Sequence, residues 1–166
     1  MDSASTRPIL DDGETPPRAV LLTDAEALAR YLDSRLKQTA TAPDATFPME
    51  GWPALPLTSV PPRLAAVLAP LYARNGEPYL IFTRRASDLS KHSGEISFPG
   101  GSRDAEDASL AQTALRESYE ELGLPRERVR VLGAMPTVFS VVSNYLVTPY
   151  VGWLGEGLPT LRPQAS

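Results

Sequence analysis

The chain of 166 residues has no cysteine and one histidine, His92. The first absence excludes a disulfide scaffold, thiolate metal sites and a cysteine nucleophile. The second excludes multi-histidine metal sites and leaves a Ser-His-Asp triad only one candidate base. Neither sign of charge dominates: 16 Lys and Arg stand against 20 Asp and Glu, a formal net charge of −4. No basic patch is dense enough to indicate nucleic acid by charge alone. Targeting and membrane signals are scarce too. Asp2 stands where a signal peptide would be basic, and Ala19-Val20-Leu21-Leu22 is too short for its apolar segment. Residues 131–155 carry no charge, but Pro136, Ser140, Ser143, Asn144, Thr148 and Pro149 interrupt them. They read as a buried strand pair with a loop at Ser143-Asn144, not as a membrane span. The expectation is a soluble cytoplasmic protein with no nucleic-acid or membrane partner. Any metal must be held by oxygen, which points to magnesium, manganese or calcium.

Proline is what the chain has in excess. There are 17, nine of them within the first 62 residues, against an average near ~5%. Two regions follow: residues 1–62, with a tail, a helix and a proline-rich segment, and residues 63–166, a folded domain. Thr23 or Asp24 can cap a helix running to about Gln38, with Ala25, Leu28, Ala29, Leu32 and Leu36 at helical spacing. Residues 39–62 read as a linker or strap, and the front third is expected to add little to the core. From Arg63, two apolar arms flank Arg74-Asn75-Gly76-Glu77, a hairpin signal. Pro70 in the first arm suggests an edge strand or a bulge. A short strand is expected at 95–98, ending at Pro99-Gly100-Gly101. A helix from about Ala108 to Leu122 follows, with Asp107 as N-cap and Gly123 and Pro125 as stop signals. Strands at 129–135 and 145–154 complete an α+β chain with a mixed sheet.

Acidic residues concentrate around that helix. Glu95, Asp104, Glu106, Asp107, Glu117, Glu120, Glu121 and Glu127 fall within 33 residues. At helical spacing Glu117, Glu120 and Glu121 share one side, opposite Ala111, Leu115, Ser118, Tyr119 and Leu122. Like charges so placed repel, and a divalent cation would turn the repulsion into a rigid oxygen site. The alternative is a solvated helix face. The Gly100-Gly101 pair upstream permits close approach of a ligand and offers a backbone carbonyl.

Gly101, Asp107 and Arg116-Glu117-Ser118-Tyr119-Glu120-Glu121-Leu122-Gly123-Leu124 resemble the signature of the Nudix hydrolases. Asp107 stands in place of glutamate, eight residues rather than seven separate it from Arg116, and Ser118 fills an apolar slot. The Arg-Glu-x-x-Glu-Glu-x-Gly core is intact. Thr113-Ala114-Leu115, Phe82-Thr83-Arg84-Arg85-Ala86 and the run from Gly94 to Gly101 are similar to the coenzyme A pyrophosphatase branch, which commonly has arginine where Ser90 stands here.

The resemblance implies a Nudix fold, a mixed sheet with a catalytic loop-helix, over about Arg63 to Leu154. It also implies that the chain stops short of the fold's last strands and closing helix, as a fragment or an incomplete fold. The implied activity is metal-dependent hydrolysis of a nucleoside diphosphate joined to another moiety. Coenzyme A, giving 3′,5′-ADP and 4′-phosphopantetheine, is the leading substrate. Another nucleoside diphosphate derivative, or binding without hydrolysis, are the alternatives. By the same resemblance Glu117, Glu120 and Glu121, with the Gly101 backbone, hold Mg²⁺ or Mn²⁺, and Arg116 orients the carboxylates. One of the glutamates or Glu95 is the base. Arg84, Arg85, Lys91 and His92 are candidates for holding phosphates, and Asn144 and Tyr145 for lining a pocket or serving core and loop roles. A homodimer stays open.

Overall fold

The computed structural model describes residues 21, 23–39, 61–84 and 96–163. Its first long element is helix α1 (Ala25–Thr39), and Asp24 caps it: Oδ1 accepts from the Ala27 N–H at 3.0 Å. Strand β1 (Arg63–Arg74) and strand β2 (Glu77–Leu80) form the expected hairpin. Asn75 and Gly76 both have positive φ, 56° and 80°, the two-residue turn whose twist matches the strands. The Ala25 N–H donates to the Gly76 carbonyl at 2.8 Å, tying the start of α1 to this turn.

Strand β3 (Thr83–Arg84) pairs with β4 (Ile96–Ser97) in a separate small ladder. Strand β5 (Gly100–Ser102), helix α2 (Leu110–Leu122) and a single 3-10 turn (Arg126–Arg128) follow. Strands β6 (Arg130–Ala134), β7 (Val138–Ser140) and β8 (Tyr145–Glu156) complete the order. The uncharged stretch 131–155 is therefore strand and turn, and no helix among the described residues is long and apolar enough to cross a membrane.

In the main sheet β1 is central, running parallel to β8 and antiparallel to β2 and β5; β6 and β7 pair antiparallel with β8. The architecture is α+β with a mixed sheet, as the sequence suggests. Pro70 overturns the edge-strand alternative, because it lies fully buried inside this central strand opposite Gly152, while the register of β1 on β8 shifts just beyond it, between Leu71 and Ala73, in keeping with the bulge alternative. Its ring nitrogen faces the side where β5 pairing ends and β2 pairing begins, so only one half of the usual two-bond exchange with Ile81 forms. Its carbonyl accepts from the Ile81 N–H at 3.0 Å.

Alternate residues of β1 face opposite helices. Ala69, Leu71 and Ala73 pack with Ala25, Ala29 and Leu36 of α1 and with Leu132, Val151 and Trp153. Ala66 and Leu68 pack with Leu110, Ala114 and Leu122 of α2 and with Leu124 and Leu154. The molecule is thus helix, sheet, helix. This overturns the expectation that the front third adds little, since Ala25, Ala29 and Leu36 of α1 are part of the core on one face. After β8 the chain returns over the end of α2: Arg162 N–H donates to the Leu122 carbonyl at 2.7 Å and Leu161 packs on the second cluster. No strand follows β8 among the described residues.

Candidate active site

The register of β5 against β1 orients its backbone. Ala66 pairs with Gly101, Leu68 N–H donates to the Pro99 carbonyl and Arg103 N–H to the Leu64 carbonyl. Antiparallel pairs alternate, so the polar groups of Gly101 turn toward β1 while those of Gly100 and Ser102 turn outward. Gly101 contributes space instead: a Cβ built there would lie 2.5 Å from the Glu117 carboxylate carbon and Oε1. Only glycine lets that carboxylate settle on the strand.

Helix α2 begins later than expected. Ser109 is the N-cap, its hydroxyl accepting from the Gln112 N–H at 3.3 Å, and Gly123 closes the helix in the left-handed conformation at φ 64°. Asp107 cannot cap because its carboxylate is committed elsewhere. Arg116 Nε donates to Asp107 Oδ1 at 3.1 Å and Nη2 to Oδ2 at 2.9 Å, a two-pronged pair. Thr113 Oγ1 donates to the same Oδ2 at 2.9 Å, and the Asp104 N–H at 3.0 Å. Asp107 is 7% exposed. The Arg116 hydrogen bond is the main cause that lowers its pKa from 3.8 to about 2, against an opposing effect of burial. The same bond raises the already high pKa of Arg116.

Arg116 continues past Asp107. Nη1 donates to Glu117 Oε1 at 2.9 Å and to Glu120 Oε2 at 3.2 Å, and Nη2 donates to the outward Ser102 carbonyl at 3.0 Å. Those five bonds match the guanidinium's five N–H groups. Asp104 Oδ2 stands 3.5 Å away as a further ion pair. This is not an exposed i,i+4 pair of small value: the Arg116 side chain is 15% exposed.

The helix also turns differently from the pattern read in the sequence. Its buried residues are Leu110, Thr113, Ala114, Ser118 and Leu122, while Tyr119 is 51% exposed and Ala111 and Leu115 are half-buried. Glu117 and Glu121, both half-buried, consequently flank the sheet-facing side, and Glu120 is exposed. The physical reason is that small and hydrogen-bonded residues fill the interface. Thr113 is satisfied by Asp107, and Ser118 Oγ donates to the Ala114 carbonyl at 2.7 Å.

Among the described residues no three acidic or histidine side chains converge as a ready metal cage. Glu117 and Glu120 are drawn toward Arg116 instead. The donor chemistry still fits a hard divalent cation: carboxylate oxygens on one helix beside an outward main-chain carbonyl at Gly100, with Glu117 seated in the hollow that Gly101 leaves. Arg84 lies exposed on β3 opposite Ile96. Arg85, Lys91, His92 and Glu95 lie outside the described residues. Asn144 has a positive φ of 55° in the turn before β8, and its carbonyl accepts from the Arg63 N–H at 3.0 Å. Thr113 and Ser102 were not legible as site residues, since one acts through a buried hydroxyl and the other through a main-chain carbonyl.

The Nudix domain family matches residues 62–157. The chain belongs to the Nudix family. The uncharacterized Nudix hydrolase NudL of Cronobacter sakazakii is 47% identical over 107 residues, covering 64% of this chain and 55% of that protein. Its namesake from Pectobacterium atrosepticum is 50% identical over 90 residues, covering 54% and 46%. This Nudix chain therefore spans about half the length of the curated relatives it matches. Among solved structures, the Nudix hydrolase RenU of M. smegmatis superposes with a TM-score of 0.52 at 23% identity, over 63% of this chain and 66% of that one. A C. elegans Ap4A hydrolase complex gives 0.50 at 16% identity, over 63% and 74%. At such identities these two share the fold.

Proposed function

We propose that this Nudix chain hydrolyses the diphosphate of a nucleoside joined to another moiety, with coenzyme A or its derivatives as substrate and 3′,5′-ADP and 4′-phosphopantetheine as products. The observation that carries the reading is the arrangement around Arg116, which restrains Glu117 and Glu120 above the glycine pair while Asp107 anchors it from behind. Glu117, Glu120, Glu121 and the Gly100 carbonyl are the groups that would hold Mg²⁺ or Mn²⁺. Gly101 serves by making room. Bound there, a divalent cation offsets the charge of the diphosphate and activates water toward it. The chain's own part is to fix the carboxylates through Arg116, to accept the water's proton on a glutamate of α2 or on Glu95, and to hold substrate phosphates with Arg84, Arg85, Lys91 and His92.

A second reading, another nucleoside diphosphate derivative as substrate, is favoured by one observation: Ser90 stands where the coenzyme A branch commonly has arginine. The protein incubated with Mn²⁺ and coenzyme A, beside a panel of sugar nucleotides and oxidised nucleotides, is expected to release 3′,5′-ADP. Turnover of panel members alone moves the assignment to the second reading. Binding without any turnover makes the chain a recognition module. Glu121→Gln is expected to abolish turnover with the unfolding midpoint retained; surviving activity would remove α2 as the catalytic helix.

A further inference from the structure

The face of the sheet opposite α2 carries a second feature beside the glycine pair. Arg63 and Tyr145 are register partners at the start of β1 and β8, and Ser102 of β5 pairs with Ala65, two residues along the same face. The Arg63 guanidinium carbon lies over the Tyr145 ring, 5.0 Å from its centroid. Tyr145 Oη is 3.0 Å from Ser102 Oγ, and Arg63 Nη2 donates to that oxygen at 3.4 Å. Arg63 is exposed, while Ser102 and Tyr145 are half-buried.

The cluster differs in charge balance from the site around Arg116. Arg116 has four carboxylates around it and Arg130 has Asp33. Among the described residues the partners of Arg63 are an aromatic ring and a hydroxyl, and no carboxylate pairs with it. A guanidinium over a ring, beside a hydroxyl pair that keeps one hydrogen free, offers a charge and a further donor to a group with several acceptor oxygens. Ser102 connects the cluster to the candidate active site. Its hydroxyl belongs to the receptor and its carbonyl is held by Arg116 at 3.0 Å. The two sites lie on opposite faces of β5, which has no second strand partner among the described residues. A ligand that reaches both sites must pass the outer edge of that strand, where Arg116 holds the Ser102 carbonyl.

We propose that Arg63, Tyr145 and Ser102 form a specificity subsite for a second phosphate on the substrate, distinct from the diphosphate that is cleaved. The proposal rests on the hydrolase reading above, and it names residues that read the 3′-phosphate of a 3′-phosphorylated nucleoside diphosphate. Arg63 supplies the charge, the Tyr145 ring holds the guanidinium in place, and the one hydrogen left free by the Tyr145–Ser102 hydroxyl pair adds a donor.

Coenzyme A and 3′-dephospho-coenzyme A differ by that phosphate alone, and kcat/KM for both with Mn²⁺ tests the assignment. The wild type is expected to favour coenzyme A, and Arg63→Gln to cut the ratio about tenfold, the scale of one charge-assisted hydrogen bond, through KM. Arg63→Lys keeps the charge without the stacked fork and should restore part of the ratio. An unchanged ratio in Arg63→Gln, or a wild type that does not discriminate, overturns the subsite. If neither compound is turned over, the hydrolase reading fails and the subsite is tested by equilibrium binding of 3′,5′-ADP against 5′-AMP. Tighter binding of 3′,5′-ADP that vanishes in Arg63→Gln supports the subsite, and equal affinities in the wild type overturn it.

Discussion

Asp107 and Arg116 depend on each other, and the cost of separating them is measurable. Arg116→Ala leaves a carboxylate that is 7% exposed without its cation. Removing one partner of a buried pair costs about 3–5 kcal/mol, so urea unfolding should show a loss of that order. Arg116→Lys, which cannot fork onto Asp107, should fall between alanine and wild type. The pH dependence follows from the lowered carboxyl pKa. A depressed folded pKa gives stability that is complete above the ordinary value of 3.8 and is lost as pH falls toward about 2. Unfolding midpoints measured from pH 5 to pH 2 should therefore drop in the wild type. Asp107→Asn should lack that part of the drop. Gly101→Ala is a separate probe, because its methyl would occupy the Glu117 carboxylate's position at 2.5 Å. Turnover is expected to fall at least about 100-fold, the scale of a misplaced catalytic group, and wild-type turnover would show that Glu117 does not need its seat.

At the level of elements, α1 docks on β6 through a glycine. A Cβ on Gly133 would lie 2.5 Å from Leu36 Cβ and 2.9 Å from the Leu36 carbonyl carbon, and main chain cannot step aside as a side-chain tip can. Gly133→Ala should lift α1 and loosen the cluster of Ala25, Ala29 and Leu36, costing about 1–3 kcal/mol or more. An unchanged thermal midpoint would refute this docking. Elements were legible in the sequence where local chemistry settles them: the Asn75-Gly76 turn, the Asp24 cap and the Gly123 stop are each a few residues acting on their own backbone. The start and rotation of α2 were not. Asp107 looks like a cap until Arg116, nine residues later, claims it, and Thr113 looks polar until Asp107 satisfies it inside the core.

For the molecule as a whole, a cation bound only by the folded state must stabilise it, by about 2.7 kcal/mol at 100 times its Kd. Mn²⁺ is expected to raise the unfolding midpoint of the wild type, with reversal by chelator and a smaller rise in Glu117→Gln. No shift in either protein would argue against a metal site on α2. The three-layer arrangement gives β5 two different surroundings: α2 brings its carboxylates to one face, and the other face presents Ser102 to Arg63 and Tyr145. From the sequence alone came the Nudix resemblance, the oxygen-only donor set, the hairpin and the carboxylate helix, because each depends on residue type and on short spacing. Only the tertiary structure gave α1 its place in the core, put Pro70 in the central strand, turned the Gly100 carbonyl outward and brought Arg63 to Ser102. Those follow from strand register and from contacts between residues far apart in the chain, which local sequence does not encode.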